Sequence, residues 1–387
     1  MPGLTNRALF VLLVVSIIGI MHGRIADRRR YPVPTCRFEP HLAPWALDAW
    51  SAAIGDQVEA ACGLGRFAQA LDVAPAADVA RLEHASAWSL GVPSLVPLND
   101  PLQALAARLG IWHPSAPVLK PGRPDMGLLV HAHRVLWVGQ RQAGKPRSTE
   151  LPSPALPRDP DGTPCLAPSP RDVLRLGASM DHVLGSTGSS LDQVLVGSAW
   201  LVWSIESTAP LPDGNGELAL HAASAWLCHA AGMRSTVLDL HASLDQEAHR
   251  RCRVDLAGSG ATAAWCAHLW RTVRHACDEG LVRLGSLARA RSAIVERAAA
   301  MRAPRHPCEL AEHLMASPIV DVRTVERILG LTFAAANDLV ERCVAAGILR
   351  EVTGRRRGRI YCCDESANAL GDVTGALGQA SVLGGAA

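Results

Sequence analysis

The segment from Cys308 to Cys363 constrains the fold most strongly, because three short helical patterns are followed there by two strand patterns. Gly330 and Gly347 follow helical patterns, at positions where glycine commonly adopts the left-handed conformation that closes a helix. The turn "TGRRRG" then separates the strand patterns "ILREV" and "RIYCC", as in a β-hairpin. We therefore predict a winged helix-turn-helix over 304–364. Its predicted apolar core consists of Leu310, Leu314, Val325, Ile328, Leu329, Leu339, Val340 and Val344.

The preceding part of the chain has the apolar spacing of α-helices, with almost no strand signal. With 387 residues, of which 49% are hydrophobic and 19% charged, the chain can bury a core in two or three domains. The proline-rich stretch 144–170 predicts a connector. Helices are predicted at 76–90, 101–109, 127–138, 171–184, 190–205, 216–231, 243–255, 262–279 and 289–301. The predicted fold class is mainly α, with a helical domain followed by a small winged-helix domain that carries a two-stranded β wing.

These patterns divide the chain into six predicted segments. They are an apolar and basic N-terminal segment (1–43), an N-terminal helical part (44–143), the proline-rich connector (144–170), a helical core (171–303), the winged helix-turn-helix (304–364) and a flexible tail (365–387).

An uncharged apolar run of fourteen residues, Ala8–Met21, precedes a basic stretch that includes Arg28–Arg30. The run is shorter than the roughly 20 residues that a membrane-spanning helix needs. A short anchor would leave the basic residues and the bulk of the protein on the cytoplasmic side. A signal peptide would need a cleavage site that is not evident, and a start at Met21 would omit the run. The sequence predicts a cytoplasmic protein, with attachment to the inner face of the membrane and a start at Met21 left open.

Cysteine and histidine spacing gives no sign of a metal site or of a disulfide framework. The eleven cysteines contain no CxxC pair, and the fifteen histidines form no pair at zinc-type spacing. We expect reduced cysteines and no bound structural metal. Formal net charge is only +2, so attraction to nucleic acid requires a local basic cluster.

The turn of the predicted hairpin provides such a cluster. Arg355, Arg356, Arg357 and Arg359 lie in or beside it, with Arg350 on the strand before. Guanidinium groups on a protruding turn can neutralise phosphates and release counterions. The predicted partner is DNA, and a charged turn exposed only to solvent is the simpler alternative.

The presumed recognition helix, "LTFAAANDLVERC", gives less evidence of base recognition. Thr332, the predicted N-cap, and Asn337 are both predicted to contact DNA. Phe333 and the two alanines that follow occupy positions where arginine or glutamine would bind base edges, and Asp338 would repel phosphate. A winged helix used for protein contacts or dimerisation is therefore kept as the competing hypothesis.

A second candidate site is the stretch "TAPLPDGNGELALH", from Thr208 to His221. Backbone N–H groups of Asp213, Gly214, Asn215 and Gly216 can surround an anion at the start of a helix. The Asp213 carboxylate could also hold a divalent cation against phosphate oxygens. The simpler interpretation is an ordinary turn whose Asp213 or Asn215 caps the helix.

The segment "WLVWSIESTAPLPDGNGELALHAASAWLCHAAGM" resembles the central motif of Fic proteins. Similarity continues in the same order from about Val58 to Asp364, and "AGILREVTGRRRGRIY" resembles the winged helix that many Fic proteins carry. A rhizobial family of Fic-like helix-turn-helix proteins is similar around "ASAWSLGVPSLVPLND". The resemblance implies a Fic-like helical domain in the core segment, 171–303.

Fic enzymes transfer AMP, or a related phosphate-containing group, from a nucleotide to a protein hydroxyl. By position, the resemblance places their base at Ala209, their magnesium-binding acid at Asp213, and their arginines at Glu217 and Leu220. The Gly-Asn-Gly phosphate cradle falls on Gly214, Asn215 and Gly216.

Alanine cannot accept a proton, and loss of a general base typically lowers the rate by about 10²–10⁴-fold. A carboxylate at Glu217 opposes polyphosphate binding. His221 lies one helical turn after Glu217 and could replace the missing base only if its side chain reached the loop. The sequence therefore predicts a catalytically degenerate Fic-like protein that regulates through DNA and needs no cofactor. The alternative is a residual nucleotidyl or phosphate-group transferase that uses Mg²⁺ and ATP. A protein partner, a membrane contact and the oligomeric state remain open.

Overall fold

The computed structural model describes residues 36–37, 52–88, 120–137, 141–158 and 162–370. The predicted helix at 101–109, the apolar run Ala8–Met21 and most of the tail at 365–387 lie outside these ranges. No helix within the described ranges is long and apolar enough to cross a membrane.

The described chain is mainly helical, with a small sheet near its C-terminal end. The helices are α1 (Ile54–Val73), α2 (Ala76–Trp88), α3 (Met126–Leu136), α4 (Val173–Ser186), α5 (Leu191–Thr208), α6 (Asn215–Ala230), α7 (Gln246–Ser259), α8 (Thr262–Ala299), α9 (Arg305–Ala316), α10 (Val322–Leu329), α11 (Phe333–Ala345) and α12 (Asp364–Asn368). The strands are β1 (Cys36–Arg37), β2 (Cys165–Leu166), β3 (Ile319–Asp321), β4 (Arg350–Glu351) and β5 (Ile360–Cys362). The predicted fold class is confirmed.

Backbone contacts divide the chain into two compact units. Unit 1 comprises residues 1–68 and 119–277, and unit 2 comprises residues 69–118 and 278–387. Helices α1 and α8 cross the boundary, so each contributes residues to both units.

Helices α5 and α6 form the centre of unit 1, and most residues of both are buried. Gly197, early in α5, lies against the ring of Trp226, late in α6, so the two helices run antiparallel. A Cβ atom on Gly197 would lie 2.5 Å from Cη2 of that ring. Trp265 and Trp270 of α8 donate their indole N–H groups to the carbonyls of Ala199 (2.9 Å) and Leu195 (3.0 Å). These contacts hold α8 against α5 with the polar atoms of both rings satisfied.

Helix α8 runs without interruption for 38 residues, so the prediction of two helices at 262–279 and 289–301 was wrong. Gly280 and Gly285 fall between the predicted helices, and each costs about 1 kcal/mol relative to alanine in a helix. The helix continues because Leu287 and Ile294, seven residues apart, are fully buried on one side of it. Tertiary packing here outweighs local propensity.

In unit 2, α9 to α11 and three strands have the order of a winged helix. Gly330 ends α10 in the left-handed conformation (φ 61°), and the chain turns directly into α11. The sheet has the order β3-β5-β4 and is antiparallel throughout. The predicted two-stranded ribbon thus has a third strand, β3, which pairs with β5 and was not predicted.

The predicted core of the winged helix is largely confirmed. Its buried members are Leu310, Leu314, Val325, Leu339 and Val340. Ile328 and Leu329 are only partly buried, and Val344 is 38% exposed. The assignment of Val344 to the core was therefore wrong, because α11 turns this residue toward solvent.

Cys165 is disulfide-bonded, whereas the sequence analysis expects reduced cysteines. Cys36 stands opposite Cys165 in the parallel pair β1–β2. The expectation of reduced cysteines was therefore wrong at Cys165. The free cysteines of the described chain include Cys228, Cys266 and Cys277, all buried.

Candidate functional site

The loop at residues 209–214 joins α5 to α6, and both of its ends adopt a left-handed backbone conformation. Ala209, with φ 43°, caps α5 and is 2% exposed. This conformation costs a residue with a side chain about 1–2 kcal/mol. The position to which the resemblance assigns a catalytic base therefore holds a buried methyl group that cannot accept a proton.

A buried arginine, which the sequence analysis missed, holds this loop in place. Its Nε donates to the carbonyl of Ala209 at 2.5 Å, and its Nη2 donates to the carbonyls of Thr208 (3.3 Å) and Pro168. The backbone N–H of Arg147 donates to the carbonyl of Pro210 at 2.9 Å. Burial lowers the pKa of its guanidinium. Five donors in a planar fork suit a set of converging carbonyls. Arg147 thus fixes the shape of the loop.

Asn215 closes the loop from the other side. Its side-chain amide donates to the carbonyl of Leu211 (2.9 Å), and its Oδ1 accepts from the Leu211 N–H (3.0 Å). Both polar atoms of the side chain are thereby engaged within the loop. Asn215 acts as a brace for the turn and is not the N-cap, a position held by Gly214.

Asp213 is held by His133 of α3, a residue that lies 80 positions earlier. His133 Nε2 lies 2.7 Å from Asp213 Oδ1, and His133 Nδ1 accepts the N–H of Gly144 at 2.9 Å. Since Nδ1 is an acceptor, the neutral ring carries its proton on Nε2 and donates it to the carboxylate. His133 is 1% exposed and stacks on Trp137, with ring centroids 5.0 Å apart. It positions Asp213 and has no nitrogen left for a substrate.

Gly214 is required at its position for two reasons. Its φ of 63° favours glycine, and a Cβ atom there would lie 2.1 Å from Cζ2 of Trp137. Gly216 is different, because a Cβ atom on it would meet only Glu206 Oε1, at 3.4 Å. Packing thus explains Gly214 and the turn brace explains Asn215, whereas these contacts do not require glycine at position 216.

The first turn of α6 still presents hydrogen-bond donors. Gly214 has no side chain that could cap the helix, and no acceptor within the described residues binds the N–H groups of Gly216 and Glu217. Such donors and the helix dipole favour an anion. Glu217 places its own carboxylate in this turn, however, where it repels a phosphate group.

Asp213 provides the oxygen that a cation would need. Its side chain is 44% exposed, and only Oδ1 is engaged by His133 within the described chain. Mg²⁺ is commonly held by one or two carboxylates together with substrate phosphates. The described residues contain no group of three metal-ligating side chains. An Mg²⁺ ion at Asp213 would take further ligands from a bound polyphosphate and from water.

His221, the residue considered as a displaced base, lies deep in α6. It is 3% exposed, and burial lowers its pKa to about 4. A base of this strength, buried in a helix, is poorly suited to deprotonating a protein hydroxyl.

A buried polar cluster, also missed in the sequence, lies at the end of α5. Glu206 accepts from Nε2 of His249 (3.0 Å) and from Nη1 of Arg253 (3.2 Å), and His249 Nδ1 lies 3.2 Å from His268 Nε2. Burial raises the pKa of the Glu206 carboxyl, but His249 and Arg253 outweigh burial and hold it below its usual value. The cluster joins α5, α7 and α8 and keeps Glu206 ionised beneath the start of α6.

The wing of unit 2 is an ordered turn. Glu351 Oε1 accepts from the N–H of Thr353 (2.9 Å), the hydroxyl of Thr353 (2.5 Å) and the N–H of Gly354 (2.8 Å). The Thr353 hydroxyl in turn accepts the N–H of Ile360 at 3.2 Å. Burial raises the pKa of Glu351, and these hydrogen bonds outweigh it and lower the pKa. Glu351 thus shapes the wing through Oε1, and it makes no ion pair with the wing arginines among the described residues.

The predicted wing arginines differ in their surroundings. Arg355, Arg356, Arg357 and Arg359 are exposed, and none has a carboxylate partner among the described residues. Arg359 donates to the carbonyl of Arg355 at 3.2 Å. Arg350, by contrast, makes a two-fold ion pair with Asp364, at 2.7 and 3.0 Å. Of the arginines predicted to bind DNA, the four in or beside the turn are the ones without a carboxylate partner in the described chain, and three of them are adjacent.

Helix α11, which the sequence analysis predicts to be the recognition helix, presents few free polar groups. Thr332 caps it as predicted, with Oγ1 accepting the N–H of Ala335 at 3.3 Å. The Asn337 amide donates to Glu341 at 3.0 Å, and Asp338 is paired with Arg342. Asn337, the predicted polar contact to DNA, is thus committed to its own helix in the free protein.

Comparison with solved structures finds a crystal structure of a Fic family protein from Desulfovibrio desulfuricans G20. The two chains share 16% sequence identity and a TM-score of 0.35, over 94% of this chain and 97% of that chain. A TM-score of this size carries no argument about fold or function. The sequence matches no family model and no curated protein.

Proposed function

We propose that this protein is a catalytically degenerate Fic-like protein that acts as a regulator by binding DNA through its C-terminal winged helix. The observation that carries the proposal is the set of adjacent arginines Arg355–Arg357, exposed on an ordered turn without carboxylate partners in the described chain. Elsewhere in unit 2, Arg291, Arg342 and Arg350 are each paired with a carboxylate. Unpaired guanidinium groups on the wing suit phosphate oxygens.

The loop at 209–214 and the first turns of α6, together called the central loop, support the part of the proposal that concerns lost catalysis. Ala209 offers no base, Glu217 places a negative charge beside the helix N-terminus, and His221 is buried with a pKa of about 4. The side chains of Arg147 and Asn215 form hydrogen bonds with backbone groups of the loop. These features favour a loop that maintains the fold.

Fluorescence anisotropy with a labelled duplex and the intact protein tests DNA binding. We expect binding that weakens at least tenfold when Arg355, Arg356 and Arg357 are changed to alanine, because three phosphate contacts are lost. The matched control is a triple alanine variant of unit 1. It removes the same amount of positive charge at three exposed arginines, Arg175, Arg250 and Arg251. The control should leave affinity nearly unchanged. Absence of binding in the intact protein would refute the proposal.

The alternative, a residual transferase, is favoured by the donors of the first turn of α6 and by the half-exposed Asp213. Such an enzyme would depend on substrate positioning, with Asp213 holding Mg²⁺ against the nucleotide phosphates. Incubation with radiolabelled ATP and Mg²⁺ tests it. Label transferred to protein, and lost in Asp213→Ala but retained in the exposed control Asp192→Ala, would establish the transferase.

A further inference from the structure

The first turn of the recognition helix α11 presents an apolar surface to solvent. Phe333 is 46% exposed, and Ala334 and Ala335 beside it are exposed as well. The opposite face of α11 supplies the core of the winged helix through Leu339, Val340 and other buried residues. Packing within the described chain therefore leaves nearly half of Phe333 open to solvent, at 46% exposure.

Arg323 of α10 covers one side of this ring. Its guanidinium carbon lies 4.7 Å from the centroid of the Phe333 ring, and Nη1 donates to Glu326 at 2.9 Å. The Arg323 side chain is itself 73% exposed. The contact is a cation–π interaction that restrains the ring. Because Glu326 compensates the charge of Arg323, the patch offers mainly apolar contacts.

The polar side chains farther along α11 are committed to each other. Asn337 donates to Glu341, and Arg342 is paired with Asp338. The groups that the start of α11 can offer to a partner are therefore the phenyl ring of Phe333 and the methyl groups of Ala334 and Ala335. In the DNA major groove, the apolar group of a base pair is the C5-methyl of thymine, which phenylalanine and alanine contact.

We propose that the start of α11 recognises thymine methyl groups in the major groove, with Phe333 as the principal contact and Arg323 as the residue that holds its ring. The inference rests on the proposed DNA binding, since the arginine wing must dock the helix on the duplex. Charge complementarity supports DNA over a protein partner, because the patch lies in the same winged helix as the unpaired arginines Arg355–Arg357. The wing would supply affinity, and the methyl contacts would supply preference.

Deletion of the methyl group alone tests the proposal. The intact protein is titrated at one salt concentration into alternating dA·dT duplex and into the same duplex with deoxyuridine in place of thymidine. Burial of one methyl group changes affinity about fourfold, so we expect the thymine duplex to bind at least about fourfold more tightly. A dG·dC duplex should likewise bind more tightly when its cytosines carry a 5-methyl group.

Variants separate a direct contact from an effect of DNA shape. Phe333→Ala should bring the ratio between the thymine and uracil duplexes close to one and leave the affinity for the uracil duplex unchanged. Val344→Ala, an exposed apolar change at the other end of the same helix, should keep the ratio. Circular dichroism of both variants checks that they fold.

The outcomes are distinct. Equal affinity of the intact protein for both duplexes, or a ratio that survives in Phe333→Ala, overturns methyl recognition while leaving DNA binding in place. Absence of binding to either duplex refutes the proposed function itself. A change in sedimentation of Phe333→Ala, with no change in DNA binding, would assign the patch to a protein interface and also overturn the inference.

Discussion

Alanine at Gly214, the last residue of the loop at 209–214, and alanine at Gly216, in the first turn of α6, should affect stability differently. Gly214→Ala places a Cβ atom on a residue with φ 63° and 2.1 Å from Cζ2 of Trp137. The left-handed conformation costs about 1–2 kcal/mol, and overpacking against a ring costs about 1–3 kcal/mol. We expect Gly214→Ala to lower the free energy of unfolding of unit 1 by about 2–5 kcal/mol.

Gly216→Ala is the matched control, because its Cβ atom would lie 3.4 Å from Glu206 Oε1 within an ordinary helical turn. Alanine is the better helix former by up to about 1 kcal/mol, so this variant should be as stable as the native protein or slightly more stable. Urea unfolding followed by tryptophan fluorescence measures both, since Trp203, Trp226 and Trp265 are buried in unit 1.

A double-mutant cycle separates the two costs at Gly214. Combining Gly214→Ala with Trp137→Leu removes the ring that the new methyl group meets, so a coupling energy of about 1–3 kcal/mol should be recovered. The cost of the left-handed conformation should remain. Equal effects of alanine at Gly214 and Gly216, or no coupling to Trp137, would refute the account of this loop as a packed turn.

Two further predictions concern buried polar groups of unit 1. Arg147→Met should destabilise the protein by about 3 kcal/mol or more in urea unfolding, because buried carbonyls lose a charged donor. Arg158→Met is the control, since it removes an exposed arginine that donates to a carbonyl at 2.8 Å. It should change the free energy of unfolding by less than about 0.5 kcal/mol. For His221, the folded pKa of about 4 lies below the ordinary value of 6.5, so the unfolded state binds more protons and stability falls as pH drops from about 6.5 toward 4. At pH 5 this loss is about 2 kcal/mol relative to pH 7.5, and His221→Leu should flatten the measured pH dependence by that amount while a change at exposed His229 should not.

The turns and caps of this fold could be predicted from the sequence because they depend on neighbouring residues. The left-handed glycine at Gly330, the Thr332 cap and the hairpin that carries the arginines are all local features. The Gly-Asn-Gly turn was found for the same reason. Its place at the start of a helix follows from the two apolar segments on either side.

The supports of the candidate sites could not be predicted, because they come from distant parts of the chain. His133 reaches Asp213 across 80 positions, and Arg147 reaches Ala209 across 62. Neither residue stands in a motif, and a single arginine in a proline-rich connector gives no sign that it will be buried. The long helix α8 was divided for a related reason, since the packing that carries it through its glycines is tertiary.

The salt dependence of DNA binding tests the central claim most directly. Each phosphate contact contributes about −0.9 to the slope of log affinity against log salt concentration. The account predicts that changing Arg355, Arg356 and Arg357 to alanine reduces the magnitude of this slope by about 3, whereas the charge-matched change of Arg175, Arg250 and Arg251 leaves it unaltered. An unchanged slope in the wing variant, or equal changes in both variants, would contradict DNA binding through the wing.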